Sequence, residues 1–170
     1  MSKSFKGTVE NLKSSVWGHA VEVPGKLIAF YKKKDVSRFI ASVNEGDEFH
    51  CAFIPNGKGK AYVLLNKELR KKLQVVAGDK VVVKIKPDES KYGMALPEEM
   101  EELFYQDPEG SEVFHSLTPG KQRSLLYMVG KPKSSQIRVK KAITIIEYLK
   151  YTQGQLDYKE LNEAFKNSPY

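Results

Sequence analysis

Residues 61–86, AYVLLNKELRKKLQVVAGDKVVVKIK, leave this chain few folds to choose from. They read as strand, short basic helix, tight turn and strand. At the turn, Gly78 can take a positive φ without a Cβ clash, and Asp79 can accept bonds from nearby amides. Before it, Leu65, Leu69 and Leu73 recur every four residues and mark one helical face. After it, Val81, Val83 and Ile85 alternate with Val82, Lys84 and Lys86, the period of a half-buried strand.

The residues before this stretch supply a matching set. Phe5–Leu12 reads as a strand, Lys13–Gly18 as a loop and His19–Val23 as a second strand. Pro24 suits a turn or a first helical position, and Gly25–Lys34 forms a short helix with Leu27, Ile28 and Tyr31 inward. Ser37–Val43 and Glu48–Ile54 make a hairpin across Asn44-Glu45-Gly46-Asp47, and Pro55–Gly59 turns into the Ala61 strand. Shifting the chain by 42 residues lays Val21, Val23, Pro24, Leu27 and Phe39–Val43 over Val63, Leu65, Asn66, Leu69 and Val81–Ile85. A strand–helix–strand unit this small cannot bury its apolar face alone, and two of them interleaved close a barrel.

The run LLNKELRKKLQVVAGDKVVVKI resembles the swapped-hairpin half-barrel of AbrB/MazE-type regulators, here with both halves in one chain. The longer pattern, VEVP followed by ASVNEGDEFHCAFIPNGKGKAYVLLNKELRKKLQVVAGDKVVVKIKPD, is similar to a small bacterial domain of unknown function. That domain often precedes a bacteriocin-protection helical module. The resemblance implies an AbrB-like double-split barrel over residues 1–94. It also makes the basic helix relevant, because AbrB-like regulators meet DNA through the corresponding region.

Lys67, Arg70, Lys71 and Lys72 sit on or beside that helix, with Lys58 and Lys60 on the preceding turn. Two readings stand: a solvated face, or a surface that releases counterions from phosphates without reading sequence. Lys32-Lys33-Lys34 with Arg38 poses the same pair of readings, without a stacking platform for single strands. A fused barrel has two different halves, so it need not present the two-fold basic surface of a symmetric dimer.

After Gly93 the period becomes helical. Pro97, Asp107-Pro108 and Thr118-Pro119 each open a helix, and Glu98, Glu99, Glu101 and Glu102 suit the positive end of the first. The expected inward residues are Leu103 and Phe104, then Val113, Phe114 and Leu117, then Leu125, Leu126 and Val129 before Gly130. A long helix from Ser134 or Ser135 to Tyr151 places Ala142, Ile145, Ile146 and Leu149 on one side. Asp157 with Glu160 starts a last helix carrying Leu161, Ala164 and Phe165, and Asn167–Tyr170 is expected to fray. The fold class is therefore α+β, a small closed barrel over 1–94 and an all-α bundle over 95–170.

The stretch from LPEEMEELFYQDPEGSEVFHSL through Gly130-Lys131 and Arg138-Val139-Lys140-Lys141 to Leu149 resembles the YdeI/OmpD-associated bacteriocin-protection family. Where that family's helix start carries Glu-Thr-Arg, this chain has Ser134-Ser135-Gln136, so no role resting on that arginine carries over. The family name describes toxin or stress tolerance without a mechanism. Glu98–Glu112 holds acids only and Lys121–Lys141 bases only, which reads as attraction between neighbouring helices. The alternative is that Lys131, Lys133, Arg138, Lys140 and Lys141 hold an anion at a helix start.

Chemistry is thinly represented. His19, His50 and His115 lie far apart without metal-ligand spacing, so no metal or other cofactor is expected. His50 and Cys51 are neighbours on one strand and point to opposite faces, which disfavours a nucleophile–base pair. No nucleotide-binding or nucleophile-elbow motif occurs, and the expected protein is not an enzyme. A single cysteine, no leader-like apolar region and no span-length apolar run point to the cytoplasm. The net charge of +7 is uneven: residues 1–94 carry 18 Lys/Arg against 10 Asp/Glu, residues 95–170 carry 10 against 11. The partner is thus an anion such as nucleic acid, or another protein.

Overall fold

The computed structural model describes residues 1–14 and 18–170. The expected loop Lys13–Gly18 therefore lies partly outside the described residues. The chain divides into two compact units, Met1–Gly93 and Met94–Tyr170.

The first unit runs β1 (Lys3–Asn11), β2 (His19–Val23), α1 (Gly25–Lys32), β3 (Arg38–Val43), β4 (Phe49–Ala52), β5 (Ile54–Pro55), β6 (Ala61–Leu65), α2 (Lys67–Leu73) and β7 (Lys80–Pro87). The seven strands are antiparallel in the order β4-β3-β7-β1-β2-β6-β5. The two edge strands are consecutive in the chain, separated by Phe53 alone, so the sheet curls until its ends nearly meet. Alternate residues fill the barrel: Val21, Val23, Phe39, Ala41, Val43, Val63, Leu65, Val81, Val83 and Ile85 are buried. Leu27, Ile28, Leu69 and Leu73 of the two helices pack onto that core. The strand expected over Glu48–Ile54 is instead interrupted at Phe53, where pairing switches from β3 to β6.

The register turns the 42-residue echo into geometry. In the β2–β6 ladder Val21 faces Val63, and in the β3–β7 ladder Ser42 faces Lys84, each pair 42 residues apart. Both ladders are therefore centred on equivalent residues, as a pseudo-two-fold axis through them requires. The remaining strands obey the same symmetry. β1 pairs with β7 through Lys3–Thr8 and with β2 through Val9–Asn11. The β4–β5 strand repeats this, pairing with β3 and then with β6. Pro24 and Asn66, equivalent in the echo, are the N-caps of α1 and α2, and Asn66 Oδ1 accepts from Leu69 N at 2.8 Å.

The turn ahead of β7 has the expected chemistry. Gly78 has φ 96°, and Asp79 Oδ2 accepts from Val76 N at 2.8 Å. It is stitched to β1 by Gly78 N donating to Val9 O at 2.8 Å and Val9 N donating to Asp79 O at 2.9 Å.

The second unit contains α3 (Glu98–Gln106), α4 (Pro108–Ser116), α5 (Pro119–Gly130), α6 (Ser135–Tyr151) and α7 (Tyr158–Asn167). α6 is its spine, with Ala142, Ile145, Ile146 and Leu149 buried together with Phe114, Leu125, Leu126, Val129 and Leu161. On α3 the fully buried residue is Met100, while Leu103 and Phe104 are only half-buried. Asp107 caps α4 by accepting from Gly110 N at 2.9 Å. The box at Asp157 closes through a third residue. Its carboxylate accepts from Lys159 N and Glu160 N, while Tyr148 hydroxyl accepts from Asp157 N and donates to Glu160. The terminal residues reach back to α6. Thr144 hydroxyl donates to Ser168 Oγ at 2.9 Å, and Tyr170 hydroxyl donates to Glu147 at 2.7 Å.

Gly110 of α4 is buried against Ile146 of α6. A Cβ there would stand 2.3 Å from Ile146 Cγ2 and 2.8 Å from Asp107 Oδ2. Gly110→Ala gains about 1 kcal/mol of helix propensity, but overpacking of about 1–3 kcal/mol outweighs it. The variant is expected to melt below the parent in a thermal scan and to lose the Asp107 cap.

Candidate anion-binding surface

The expected basic patch does not assemble as one surface. Lys67, Arg70, Lys71 and Lys72 all lie on α2, after the last residue of β6. Lys58 and Lys60 lie before its first residue, so the five-residue strand, roughly 15 Å long, separates the two groups. Lys60 is also occupied: its ammonium meets Glu22 at 2.8 Å, and the lysine is held above its ordinary pKa by that bond. Lys72 meets Asp47 at 2.6 Å, which lowers the aspartate and raises the lysine. Arg70 turns its Nε to Leu65 O at 3.3 Å. Lys58, Lys67 and Lys71 remain exposed and pair with no carboxylate among the described residues. Lys67 and Lys71 are one helical turn apart and share a face of α2.

A second set of free cations lies on the outside of the barrel, where β1 runs against β7. Ser4, Lys6 and Thr8 stand opposite Lys84, Val82 and Lys80, and all six side chains are exposed. Lys6, Lys80 and Lys84 meet no carboxylate among the described residues, whereas Lys86 on the same face is bound by Glu48 at 2.7 Å. The outward alternation of β7 is legible in its sequence. That β1 brings Lys6 beside it depends on a pairing across some 75 residues of chain, which no local pattern announces.

Of the basic residues of the second unit, Lys131 and Arg138 line one cavity of about 480 Å³ beside Glu98, Glu99 and Tyr127, whereas Lys140 and Lys141 lie outside it. Arg138 donates to Glu99 at 2.7 Å and to the carbonyls of Pro132 and Lys133. Burial alone would raise Glu99, yet its own backbone amide and Arg138 hold it below the usual carboxylate range. Lys131 lies over the Tyr127 ring at 5.8 Å and Lys141 over Phe165 at 5.3 Å. Lys140 is half-buried on another side of α6. The acidic and basic runs thus meet in one ion pair between α3 and α6.

His50, Asp88 and Arg38 of the first unit have structural partners. His50 lies on β4 and Asp88 directly follows β7, the two strands flanking β3, and His50 Nδ1 meets Asp88 Oδ2 at 2.8 Å. Asp88 is 1% exposed, and its other oxygen accepts from Ser90 N and Ser90 hydroxyl. Burial pushes that carboxyl up, but the bonds from Ser90 and His50 outweigh it and leave the group below its ordinary value. Arg38 fastens the same segment by donating to Gly93 O at 2.8 Å. Cys51 faces the interior, and burial pushes its thiol up to about 12 against the field of Arg38. His50 and Cys51 lie on opposite faces, as the strand period demands. Among the described residues no group of three His, Cys, Asp or Glu could hold a metal ion, and no helix is long and apolar enough to cross a membrane.

Residues 5–85 match the domain of unknown function DUF1905. Residues 94–151 match the model described as bacteriocin-protection, YdeI or OmpD-associated. No curated protein matches the chain. The two matched regions fall within the barrel unit and the helical unit respectively. The helical unit is thus similar to the YdeI/OmpD-associated bacteriocin-protection family, and the barrel ahead of it to DUF1905.

Proposed function

We propose that this protein acts in the cytoplasm by binding rather than by catalysis, and that its barrel holds an anionic partner in a bacteriocin- or stress-protection role. The observation that carries the reading is the division of the barrel's cations. Lys60, Lys72 and Lys86 are neutralised locally by carboxylates, whereas Lys67 and Lys71 on α2 and Lys6, Lys80 and Lys84 on the sheet are not. Uncompensated surface cations are the groups that gain from displacing phosphate counterions. The inward-facing, half-buried Cys51, its thiol pushed up to about 12, and the Asp88-bound His50 favour binding over covalent chemistry.

A second reading, binding of duplex DNA by a fused relative of AbrB-type regulators, draws on the pseudo-two-fold strand pairing. It comes with a restriction. α1 carries Ile28, Ala29 and Phe30 where α2 carries Arg70, Lys71 and Lys72, so the two halves do not offer phosphates the same basic face. Such binding would be indifferent to half-site symmetry.

Duplex titration by fluorescence anisotropy tests both. Affinity is expected to fall steeply with salt, and Lys67→Ala with Lys71→Ala should make the log–log slope shallower by about 2. Lys60→Ala and Lys72→Ala, already matched by Glu22 and Asp47, should leave it nearly unchanged. Absence of duplex binding at low salt removes nucleic acid as the partner. A pull-down from lysate with and without nuclease then separates an acidic protein from a nucleic acid.

A further inference from the structure

The acids of α3 are mostly unmatched. Glu99 meets Arg138 at 2.7 Å, while Glu98, Glu101 and Glu102 are exposed and meet no cation among the described residues. Glu102 accepts only from the neutral Gln106 Nε2, at 2.6 Å. Two of these free carboxylates stand along a groove between α3 and α6. Glu98, Glu102 and Gln106, spaced four apart on α3, form one wall, and Ser135, Val139 and Ile143, spaced four apart on α6, form the other. The groove is therefore two helical turns long, roughly 12 Å. Val139 is 42% exposed, and Leu103 and Ile143 are half-buried, so its apolar lining is open to a partner, with buried Ala142 beneath. Neighbouring faces of α6 are covered: Ile146 lies against Gly110 of α4, Thr144 against Ser168 and Glu147 against Tyr170.

We propose that this groove docks a cationic amphipathic helix of a partner protein, its aliphatic ridge entering between α3 and α6 and its lysines or arginines meeting Glu98 and Glu102. The furrow between two packed helices is the complement of a third helix's ridge of residues three or four apart. The volume here is about 370 Å³, room for the side chains of such a ridge. Charge sets the sign of the partner. Three glutamates line the groove and, among the described residues, no lysine, arginine or histidine does, whereas the neighbouring cavity of about 480 Å³ holds Lys131 and Arg138. The facing wall cannot neutralise Glu98 and Glu102, because Ser135, Val139 and Ile143 carry no charge. Those two acids are one turn apart, as are the cations on one face of a partner helix. A second copy of this chain fits less well: its basic helix α2 has seven residues and turns Leu69 and Leu73 into the barrel core, leaving no apolar ridge to insert. The groove belongs to the other unit and takes the opposite charge, so its failure would leave the anion-binding reading of the barrel untouched.

Titrating the full chain into a labelled leucine–lysine helix, its leucines at i, i+3, i+4 and i+7, tests this by fluorescence anisotropy. Saturable binding is expected, with amide shifts in the isotope-labelled chain at Glu102, Leu103, Val139 and Ile143. A leucine–glutamate helix of the same spacing should not bind. Glu98→Gln with Glu102→Gln should weaken binding about fivefold. Val139→Lys, a change at an exposed position, should abolish it by setting a cation against the incoming ridge. Glu45→Gln with Glu112→Gln removes the same charge at exposed sites outside the groove and should leave affinity within about twofold. Absence of saturable binding, equal binding of the leucine–glutamate helix, equal loss in the two glutamine pairs, or shifts confined to the barrel would overturn the proposal. Sedimentation of the chain alone covers the other occupant: a concentration-dependent dimer lost in Val139→Lys would assign the groove to a second copy and overturn it too.

Discussion

Asp88→Ala is expected to cost the barrel about 3 kcal/mol at neutral pH, among the largest single-residue effects outside its apolar core. Asp88 is a buried carboxylate with both oxygens engaged, one by His50 and the other by Ser90 amide and hydroxyl. Removing it releases the residues after β7 from the outer face and leaves the His50 ring facing an empty site. The loss depends on pH in a defined direction. The folded pKa of Asp88 is depressed, so its contribution is complete above the unfolded value of about 3.9 and disappears as pH falls through the folded value. Denaturant titrations of the parent and the variant should therefore differ most at neutral pH and converge in acid. A gap that persisted at low pH would mean that packing, and not the ionised carboxylate, is what Asp88 supplies.

Much of the barrel can be read from the chain because its period is clear. Val81, Val83 and Ile85 alternate inward, Gly78 requires a positive φ, and Asn66 precedes a helix it can cap. These are local demands that tertiary context does not overturn. The helical unit is legible for the same reason, each Pro or Asp boundary falling beside an apolar stripe. The candidate site is less legible because it depends on pairing at long separation. Nothing near Lys60 announces Glu22, and nothing near Lys72 announces Asp47, yet those contacts decide which cations are free. The same holds for His50 and Asp88, brought together by two strands that share β3 as neighbour. The contacts of the tail are hidden for a related reason: Asn167–Tyr170 has loop-like composition, and Ser168 and Tyr170 find partners on α6.

Division of the chain between Glu45 and Gly46 should have the largest effect of all. The cut falls in an exposed turn whose Asn44 and Glu45 have φ of 50° and 59°, so it removes almost no packing. What it separates is the two pseudo-equivalent halves. Four of the six ladders, β1–β7, β2–β6, β3–β7 and β3–β4, run from one half to the other. Within the first half only the three-residue β1–β2 ladder remains, too little to hold a hairpin in water. Fragment 1–45 alone is therefore expected to show narrow amide dispersion and no cooperative melt. Mixed with 46–170, it should recover both, because Val21 still has Val63 to face and Ser42 still has Lys84. The measurement belongs in a dilution series, since a half built to pair with its pseudo-equivalent can also pair weakly with a copy of itself. A cooperative, concentration-independent melt of 1–45 would show that the first half carries its own fold. In that case the interleaved ladders could not be the source of the barrel's stability.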